Sequence, residues 1–345
     1  MMMTLLVLVV VTAVAFDYIN GFHDTANAVA TVISTGVLPA RTAILIAAVL
    51  NFVGAFASIK VADFISREIV SLRGDAATAT FAVQGLDAAT GALLVILAGL
   101  LGAIAWNLLT WWFGLPSSSS HALIGGLIGA ALVQSGSQGV DWHGVVHKVA
   151  IPGVLAPVIA FAAAFALMLA IYWGFQWVTP GVANRGFRIG QLFSGTFVAF
   201  THGANDAQKT MGVIALALFA NGSISTFYIP NWVKVAAGLA IAAGTYVGGW
   251  RIMRTIGQRL YKMEPPAGFA SQATAGAVID VATRLGYPLS TTHVISGAVL
   301  GSGSTRRFRA VRWGIAGNIV VAWFLTIPAA ALVAAALYWP VQAIF

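Results

Sequence analysis

The sequence contains no cysteine, which excludes disulfide bonds and thiolate metal sites. Charged residues make up only 8% of its 345 residues, against about 25% in soluble domains. It also lacks the G-x-x-x-x-G-K-S/T pattern of nucleotide-binding loops and the His-Glu-x-x-His pattern of zinc proteases. ATP-driven transport within this chain and zinc proteolysis therefore lack support, and we expect a protein that is not an enzyme.

Acidic residues are scarce as well, since 10 of them against 18 basic residues leave a net charge of +8. In a soluble protein this balance would suggest a nucleic-acid partner. Here 59% of the residues are hydrophobic, the mean hydropathy is +0.89, and apolar runs near 20 residues recur. That length is what a bilayer-crossing helix needs. We therefore predict an all-α polytopic membrane protein with no nucleic-acid partner, whose charge reflects the orientation of its loops.

Two polar stretches interrupt the apolar runs, GFHDTANA at 21–28 and HGANDAQKT at 202–210. Three residues are nearly one helical turn, so Asp24 and Asn27 share a face, as do Asp206 and Lys209. A carboxylate within a membrane span is costly and indicates a functional site. We expect each stretch to break its helix into two halves near the middle of the membrane.

Two other stretches place three hydroxyl residues and a histidine after a proline. Ser118, Ser119, Ser120 and His121 match Ser290, Thr291, Thr292 and His293 position for position. Each stretch joins a long apolar arm to a short glycine-rich one that cannot cross the bilayer. We predict re-entrant helical hairpins whose second helices begin at Ser119 and Thr291. Helix N-termini with hydroxyl groups are suited to binding an anion.

The same order of elements occurs twice, which indicates an internal duplication. The first repeat, residues 1–178, is predicted to contain a broken helix at 4–36, a span at 41–65, a hairpin at 88–133 and a span at 149–178. After a loop at 179–188, the second repeat, residues 189–345, is predicted to contain a broken helix at 189–219, a span at 232–250, a hairpin at 268–303 and a span at 313–338. Three crossings and one hairpin per repeat invert the second repeat relative to the first, an arrangement typical of alternating-access transporters.

Basic residues predict the orientation of these repeats. The segments 251–262 and 306–312 flank the second hairpin and hold eight of the 18 basic residues. Cytoplasmic loops carry an excess of lysine and arginine, so both segments are expected on the cytoplasmic side. Both termini of a multi-pass protein in the inner (plasma) membrane would then be external.

The carboxylates restrict the kind of anion that the site accepts. An ionised Asp24 or Asp206 only accepts hydrogen bonds, so it favours an oxyanion that carries its own protons. Phosphate has such protons near neutral pH, whereas sulfate has none. The remaining negative charge calls for a cation and favours symport. A permease of the same fold for sulfate or another tetrahedral oxyanion remains the alternative, and a channel would not need inverted halves.

Together, these motifs resemble the duplicated Gly-Ala-Asn-Asp signature of the inorganic phosphate transporter (PiT) family, of the bacterial low-affinity phosphate permease type. Gly203 to Asp206 match this signature fully, and the two hydroxyl-His stretches are similar to that family as well. The resemblance implies cation-coupled uptake of inorganic phosphate by membrane-embedded homodimers, without a cofactor. It implies that the substrate is contacted by Asp24, Asn27, Ser119, Ser120, Asp206, Lys209, Thr291 and Thr292.

The chain departs from the family pattern where Phe22-His23 replaces Ala-Asn and where Asn51 stands in place of a glutamate found in many members. Both departures concern the coupling ion, a proton or a sodium ion. A histidine titrates near neutrality and replaces an amide oxygen that could bind a hard cation, which favours the proton. The residues considered for the coupling ion are Asp24, Asp206, His23, Asn205 and Asn51.

Other polar residues have simpler interpretations. We expect structural roles for His121 and His293 at the hairpin tips. The glycines that follow them are typical of close helix packing. For Asp17 and Asp280, the sequence leaves two roles open, either pairing within the helix bundle or a place on the ion path.

Overall fold

The computed structural model describes residues 1–68 and 87–345, with side chains described outside 65–68. All regular elements of this described part are helices. Four of the helices there are long and apolar enough to cross a membrane, and they are Met2–Ser34, Ala88–Phe113, Trp142–Gly174 and Trp313–Gln342. The prediction of an all-helical chain with apolar helices is confirmed.

The helices of the first half are α1 (Met2–Ser34), α2 (Ala40–Gly54), α3 (Lys60–Glu68), α4 (Ala88–Phe113), α5 (Ser119–Ser135) and α6 (Trp142–Gly174). Those of the second half are α7 (Pro180–Ala220), α8 (Asn231–Val247), α9 (Trp250–Arg254), α10 (Pro265–Leu285), α11 (Thr291–Ser304) and α12 (Trp313–Gln342). A wide helical turn, Val145–Ala150, lies within α6, and another, Thr255–Arg259, continues α9.

The prediction that the signature stretches break their helices is wrong, because α1 and α7 run without interruption through residues 20–24 and 202–206. A break would be needed if the polar groups required solvent. Instead, Thr25 donates its hydroxyl to the Gly21 carbonyl at 2.7 Å within the same helix. Asp206 is paired with Lys209, one turn further along. Local partners therefore satisfy part of the polar surface while the backbone stays helical.

The predicted loop at 179–188 is also wrong, since α7 begins at Pro180 and runs for 41 residues. Proline suits the first position of a helix, where no intrahelical N–H bond is lost. The added turns carry Arg188, whose guanidinium donates to the Gly36 carbonyl at 2.7 Å. The basic residues therefore project from a helix that extends beyond the apolar segment.

The actual interruptions lie in the second helix of each half. The predicted span at 41–65 ends at Gly54 and restarts at Lys60, where the backbone N–H of Val61 donates to the buried Gln208 side chain at 2.9 Å. The span at 232–250 ends at Val247, followed by Gly248 with a φ of 79°. This left-handed conformation favours glycine. Gln208 of α7 thus caps the start of α3, and a glycine turn follows the end of α8.

The two helices that follow the hydroxyl-His stretches begin where the sequence predicts. Helices α5 and α11 begin at Ser119 and Thr291. The Ser118 hydroxyl accepts the backbone N–H of His121 at 3.1 Å, and the Ser290 hydroxyl accepts that of His293 at 3.2 Å. These are N-caps, each satisfying one of the free N–H groups of a helix start.

The glycines of the short arms lie where helices approach closely. A methyl group on Gly125 would collide with the Ile327 backbone of α12, and one on Gly297 with the Pro157 backbone of α6. Each short arm therefore packs against the last long helix of the opposite half. The expectation of a packing role for these glycines is confirmed.

Apolar side chains form two clusters. One joins the beginning of α1 to α4, α5 and residues 207–218 of α7. The other joins the end of α1 to α6, α10 and α11. The signature residues of α1 and α7 lie where these clusters meet, so the polar groups of both helices are enclosed between two apolar regions.

Candidate functional site

Four helices bring the predicted substrate residues together. Lys209 on α7 is paired with Asp206 and donates to the Ser120 hydroxyl at the start of α5. It also donates to the Leu289 carbonyl of the other hairpin tip at 3.1 Å. Its side chain is 2% exposed. A buried ammonium group therefore joins one signature to both tips.

The other signature contacts the second tip. Asn27 donates to the Thr292 hydroxyl at 2.8 Å and to the Thr291 hydroxyl at 3.3 Å. Thr291 in turn donates to Asp206 at 3.3 Å, and Thr292 donates to Asp24 at 3.4 Å. The two threonines thus link both signature carboxylates.

Ser119 completes the group of eight predicted residues. Its hydroxyl is buried next to Ser120 and has no hydrogen-bond partner within residues 1–68 and 87–345. The two tips also touch directly, since the Ser120 hydroxyl donates to the Leu289 carbonyl at 3.3 Å. Two helix N-termini, one ammonium group and several hydroxyls are therefore grouped at one buried place. This chemistry is suited to binding an oxyanion.

His23 and Asn205 occupy corresponding positions in the two signatures and make corresponding contacts. The His23 ring lies 3.1 Å from the Thr110 hydroxyl of α4, and Asn205 donates to the Thr283 hydroxyl of α10 at 2.8 Å. Only His23 also bonds the neighbouring carboxylate, with Nδ1 at 2.7 Å from Asp24. The histidine therefore preserves the contact of the usual asparagine and adds a second one.

Asn51 is linked to the Asp206 carboxylate through one intermediate side chain, that of His202. Its amide donates to the Thr245 hydroxyl at 2.8 Å, and its oxygen lies 3.1 Å from His202 Nδ1. Asn51 consequently holds the ring of His202 rather than a carboxylate.

His202 is a site residue that the sequence analysis missed. Its Nε2 lies 3.2 Å from Asp206 Oδ2. Ligand atoms of Asp24, His202 and Asp206 all lie within 4.8 Å of one another, a spacing that a cation could bridge. The four-residue spacing of His202 and Asp206, which places both on one helical face, was the available signal.

The enclosed charges do not balance. In the described part of the chain, the buried carboxylates are Asp17, Asp24 and Asp206, and the one buried ammonium group is Lys209. Burying an unpaired charge is costly, so it must be neutralised by a proton or a bound cation. Before any anion binds, the site therefore holds more buried negative charge than Lys209 can neutralise.

His121 and His293 lie apart from these contacts. Their rings meet edge to face at 4.8 Å, and His293 stacks on Trp323 at 4.2 Å. Both line an apolar cavity of about 470 Å³ between α6 and α12. Their packing is consistent with the predicted structural role.

The two carboxylates whose role the sequence left open differ sharply. Asp280 pairs with Arg284 at 2.7 Å at a partly exposed position, which is the pairing alternative. Asp17 is fully buried, and the side chains of Thr210 and Asn20 lie beside its carboxylate.

Comparison with known proteins identifies the family. A model described as the phosphate transporter family matches residues 20–334. A probable low-affinity inorganic phosphate transporter of Mycobacterium tuberculosis is 48% identical over 336 residues, which cover 97% of this chain and 77% of that protein. A protein of the same description from Bacillus subtilis is 42% identical, covering 100% of this chain and 99% of its own length.

A solved structure described as the sodium-dependent phosphate transporter has the same fold. It superposes with a TM-score of 0.82 at 25% identity and covers 99% of this chain and 100% of its own. The similarities in sequence and in fold both extend over nearly the whole chain. The chain belongs to the phosphate transporter family.

Proposed function

We propose that this protein transports inorganic phosphate, bound where the two hairpin tips meet the two signature helices. The observation that carries the proposal is the buried Lys209, which contacts Asp206, Ser120 and the Leu289 carbonyl at once. An ammonium group in this position can bind a phosphate oxygen, while the hydroxyls of Thr291 and Thr292 donate to others. The relatives described as phosphate transporters support the same substrate.

Phosphate is favoured over sulfate because two carboxylates stand beside these donors. Asp24 and Asp206 can accept the protons of a phosphate hydroxyl. Sulfate would place bare oxygens against both carboxylates. The second candidate function is a sulfate permease of the same fold. Competition by sulfate against phosphate uptake distinguishes a sulfate permease from a phosphate transporter.

Transport is proposed to be symport with a cation. The group Asp24, His202 and Asp206 carries two carboxylates that a sodium ion could bridge, and the solved relative is described as sodium-dependent. The proton alternative is supported by His23, which lies between Asp24 and Thr110. Both ions would neutralise the same excess of buried negative charge.

Alternating access between two inverted repeats is the proposed mechanism, with residues 1–178 and 189–345 as the repeats. The paired contacts of His23 with Thr110 and of Asn205 with Thr283 support this division. So do the matching N-caps at Ser118 and Ser290. Uninterrupted signature helices suggest that the hairpins, rather than breaks in α1 and α7, change position around the substrate.

The expected location is the plasma membrane, with both termini outside and lipid around the apolar faces. A homodimer, implied by the family resemblance, is part of the same proposal.

Cysteine introduced singly at Gln138, Gln258 or Arg309 tests the topology, because the chain has no cysteine of its own and all three positions are exposed. Positions 258 and 309 should label from the cytoplasm and 138 from outside. Labelling of 258 and 309 from opposite sides would exclude a re-entrant second hairpin.

Uptake of labelled phosphate into proteoliposomes tests the function directly. Sodium and pH gradients are imposed separately, with Lys209→Met as the inactive variant and Asp280→Asn as the matched control. We expect gradient-driven accumulation in the wild type and the control, and none in the Lys209 variant. Failure of the wild type to accumulate phosphate under either gradient would contradict symport.

A further inference from the structure

The turn between α11 and α12 carries positive charge that the proposed substrate site does not use. Arg307, Arg309 and Arg312 are exposed there. The backbone N–H of Arg312 donates to the Leu260 carbonyl at 2.9 Å, so the turn lies against the segment that follows α9, where Lys262 is exposed as well. We call Arg307, Arg309, Arg312 and Lys262 the basic surface.

Little negative charge lies near the basic surface in the sequence. Segments 251–264 and 306–312 hold eight basic residues and one acidic residue, Glu264. That carboxylate pairs with Arg306 at 2.7 Å, and Arg306 is not one of the four residues of the basic surface. These two segments therefore contain no further carboxylate that could neutralise the basic surface.

An exposed aromatic pair lies within the same turn. Phe308 is 65% exposed, and its ring stacks on that of Trp313 with 4.3 Å between the ring centroids. Trp313 is the first residue of α12, one of the helices long enough to cross a membrane. Aromatic residues at the ends of such helices lie at the level of the lipid headgroups. The basic surface is therefore at headgroup level too.

The first half of the chain contains a turn with the same backbone contacts, between α5 and α6. Trp142 donates its ring N–H to the Ser137 carbonyl at 3.2 Å. Trp313 donates its ring N–H to the Phe308 carbonyl at 2.8 Å. In both turns, the backbone N–H of the tryptophan donates at 3.1 Å to the carbonyl of the valine two residues before it. The two turns can therefore be compared position by position.

Four side chains distinguish the two turns. In chain order, the first turn has Gly136, Ser137, Gln138 and Asp141 where the second has Arg307, Phe308, Arg309 and Arg312. Since the first turn forms the same contacts without a single basic residue, the fold of the turn does not require the arginines. Their charge is available for a partner outside the chain.

We propose that the basic surface binds the phosphate-bearing headgroups of anionic membrane lipids, with Phe308 inserted at the boundary between headgroups and lipid chains. Clusters of four to eight basic residues next to a membrane helix attract anionic lipids, by about 5-fold in affinity for each lysine or arginine. An arginine guanidinium can also form two parallel hydrogen bonds to one phosphate. This binding is separate from transport and does not depend on it.

Lipid binding to the purified full-length protein tests the proposal. Phosphatidylglycerol or phosphatidylcholine of equal chain length is added to delipidated protein in nonionic detergent, and bound lipid is counted by native mass spectrometry. We expect the wild type to prefer phosphatidylglycerol. Arg309→Gln, which introduces the residue type of the first turn, should weaken phosphatidylglycerol binding by about 5-fold and leave phosphatidylcholine binding unchanged.

Two further variants locate the effect. The triple variant Phe308→Ser, Arg309→Gln and Arg312→Asn should bind both lipids equally, because it makes the second turn similar to the first. Arg284→Gln removes one positive charge from a residue that pairs with Asp280 at 2.7 Å, and it should bind both lipids as the wild type does. Thermal unfolding of each variant checks that it is folded, and Arg309→Gln alone is sufficient if the triple variant is not.

Equal binding of the two lipids by the wild type would overturn the proposal, as would an unchanged preference in Arg309→Gln. Displacement of phosphatidylglycerol by an equal concentration of inorganic phosphate would also overturn it, because the surface would then bind the free anion rather than a lipid. None of these results depends on phosphate uptake, so failure of this proposal would leave the proposed transport function untouched.

Discussion

The two signature helices place their carboxylates in opposite electrostatic settings. On α7, Asp206 is paired with Lys209 and lies 3.2 Å from His202. On α1, Asp24 has the His23 ring at 2.7 Å and the Thr292 hydroxyl at 3.4 Å. The residue that corresponds to Lys209 is the neutral Asn27. A duplicated framework has thus kept the carboxylates and changed their partners.

The two halves consequently differ in the charges that they bring to the site. The second half carries its own buried positive charge, Lys209, which we propose binds the anion. The first half has Asp17 and Asp24 without a lysine or arginine partner in the described chain. The fixed positive charge for the proposed phosphate site therefore comes from α7, whereas the candidate cation group combines Asp24 of α1 with His202 and Asp206 of α7.

Lys209→Asn should have the largest effect, because it makes the second signature resemble the first. Removing one partner of a buried ion pair costs about 3–5 kcal/mol, so we expect lost phosphate uptake and a lower Tm. The matched change, Asn27→Ala, removes only hydrogen bonds to two threonines and should cost about 1 kcal/mol. Thermal unfolding of the purified variants gives the comparison. Equal losses in both variants would contradict an asymmetric site.

Replacing the carboxylates should reduce the preference for phosphate. In the wild type, arsenate should compete with labelled phosphate and sulfate should not, since unpaired buried groups can separate similar ligands by roughly 10⁴-fold. Asp24→Asn and Asp206→Asn should each weaken uptake and admit sulfate as a competitor, because an amide also donates. Asp206→Asn should be the more harmful, since it leaves Lys209 unpaired. Inhibition of the wild type by equimolar sulfate would favour the sulfate permease.

His23→Asn should make the first signature match the second at the contact with α4. The amide can still donate to Thr110, as Asn205 does to Thr283 at 2.8 Å, so we expect folding and sodium-driven uptake to persist. Uptake driven by a pH gradient should fall, because an amide cannot take up and release a proton as an imidazole can. Parallel measurements under the two gradients separate these effects. A pH-driven component that survives intact would exclude His23 as the proton carrier.

The hairpin caps should show the smallest effect and the closest agreement between halves. Ser118→Ala and Ser290→Ala each remove an N-cap at the start of a short arm. Each should cost about 1 kcal/mol in the free energy of unfolding. Thermal unfolding of both variants should give similar shifts. A clearly larger loss for one of them would show that this serine stabilises the folded protein by more than its N-cap hydrogen bond.

Local motifs predicted much of the site. Helix starts at Ser119 and Thr291 follow from a capping serine before a glycine-rich helix, which is a short-range signal. The eight predicted substrate residues came from two duplicated motifs and the resemblance that they carry. The structure groups these residues through contacts such as that between Asn27 and Thr292.

The continuity of helices could not be read from the same motifs. Asp24 and Asp206 in an apolar run suggested a break, yet α1 and α7 continue through both. Their polar groups are satisfied by partners elsewhere in the chain, such as Thr292 for Asp24 at 3.4 Å. Conversely, the apolar span at 41–65 gave no sign that Gln208 would bind the restarted helix at Val61.

The sequence by itself determined the membrane class, the duplication, the hairpin starts and the residue types of the site, because composition and short-range patterns specify these features. The pairs of Asp206 with Lys209 and of Asp280 with Arg284 follow from helical spacing. Only the tertiary structure decided which groups of other helices contact the carboxylates, such as Thr292 for Asp24 and Thr291 for Asp206. Whether a buried charge is neutralised depends on side chains brought from distant parts of the chain, and only the packing of the helices specifies them.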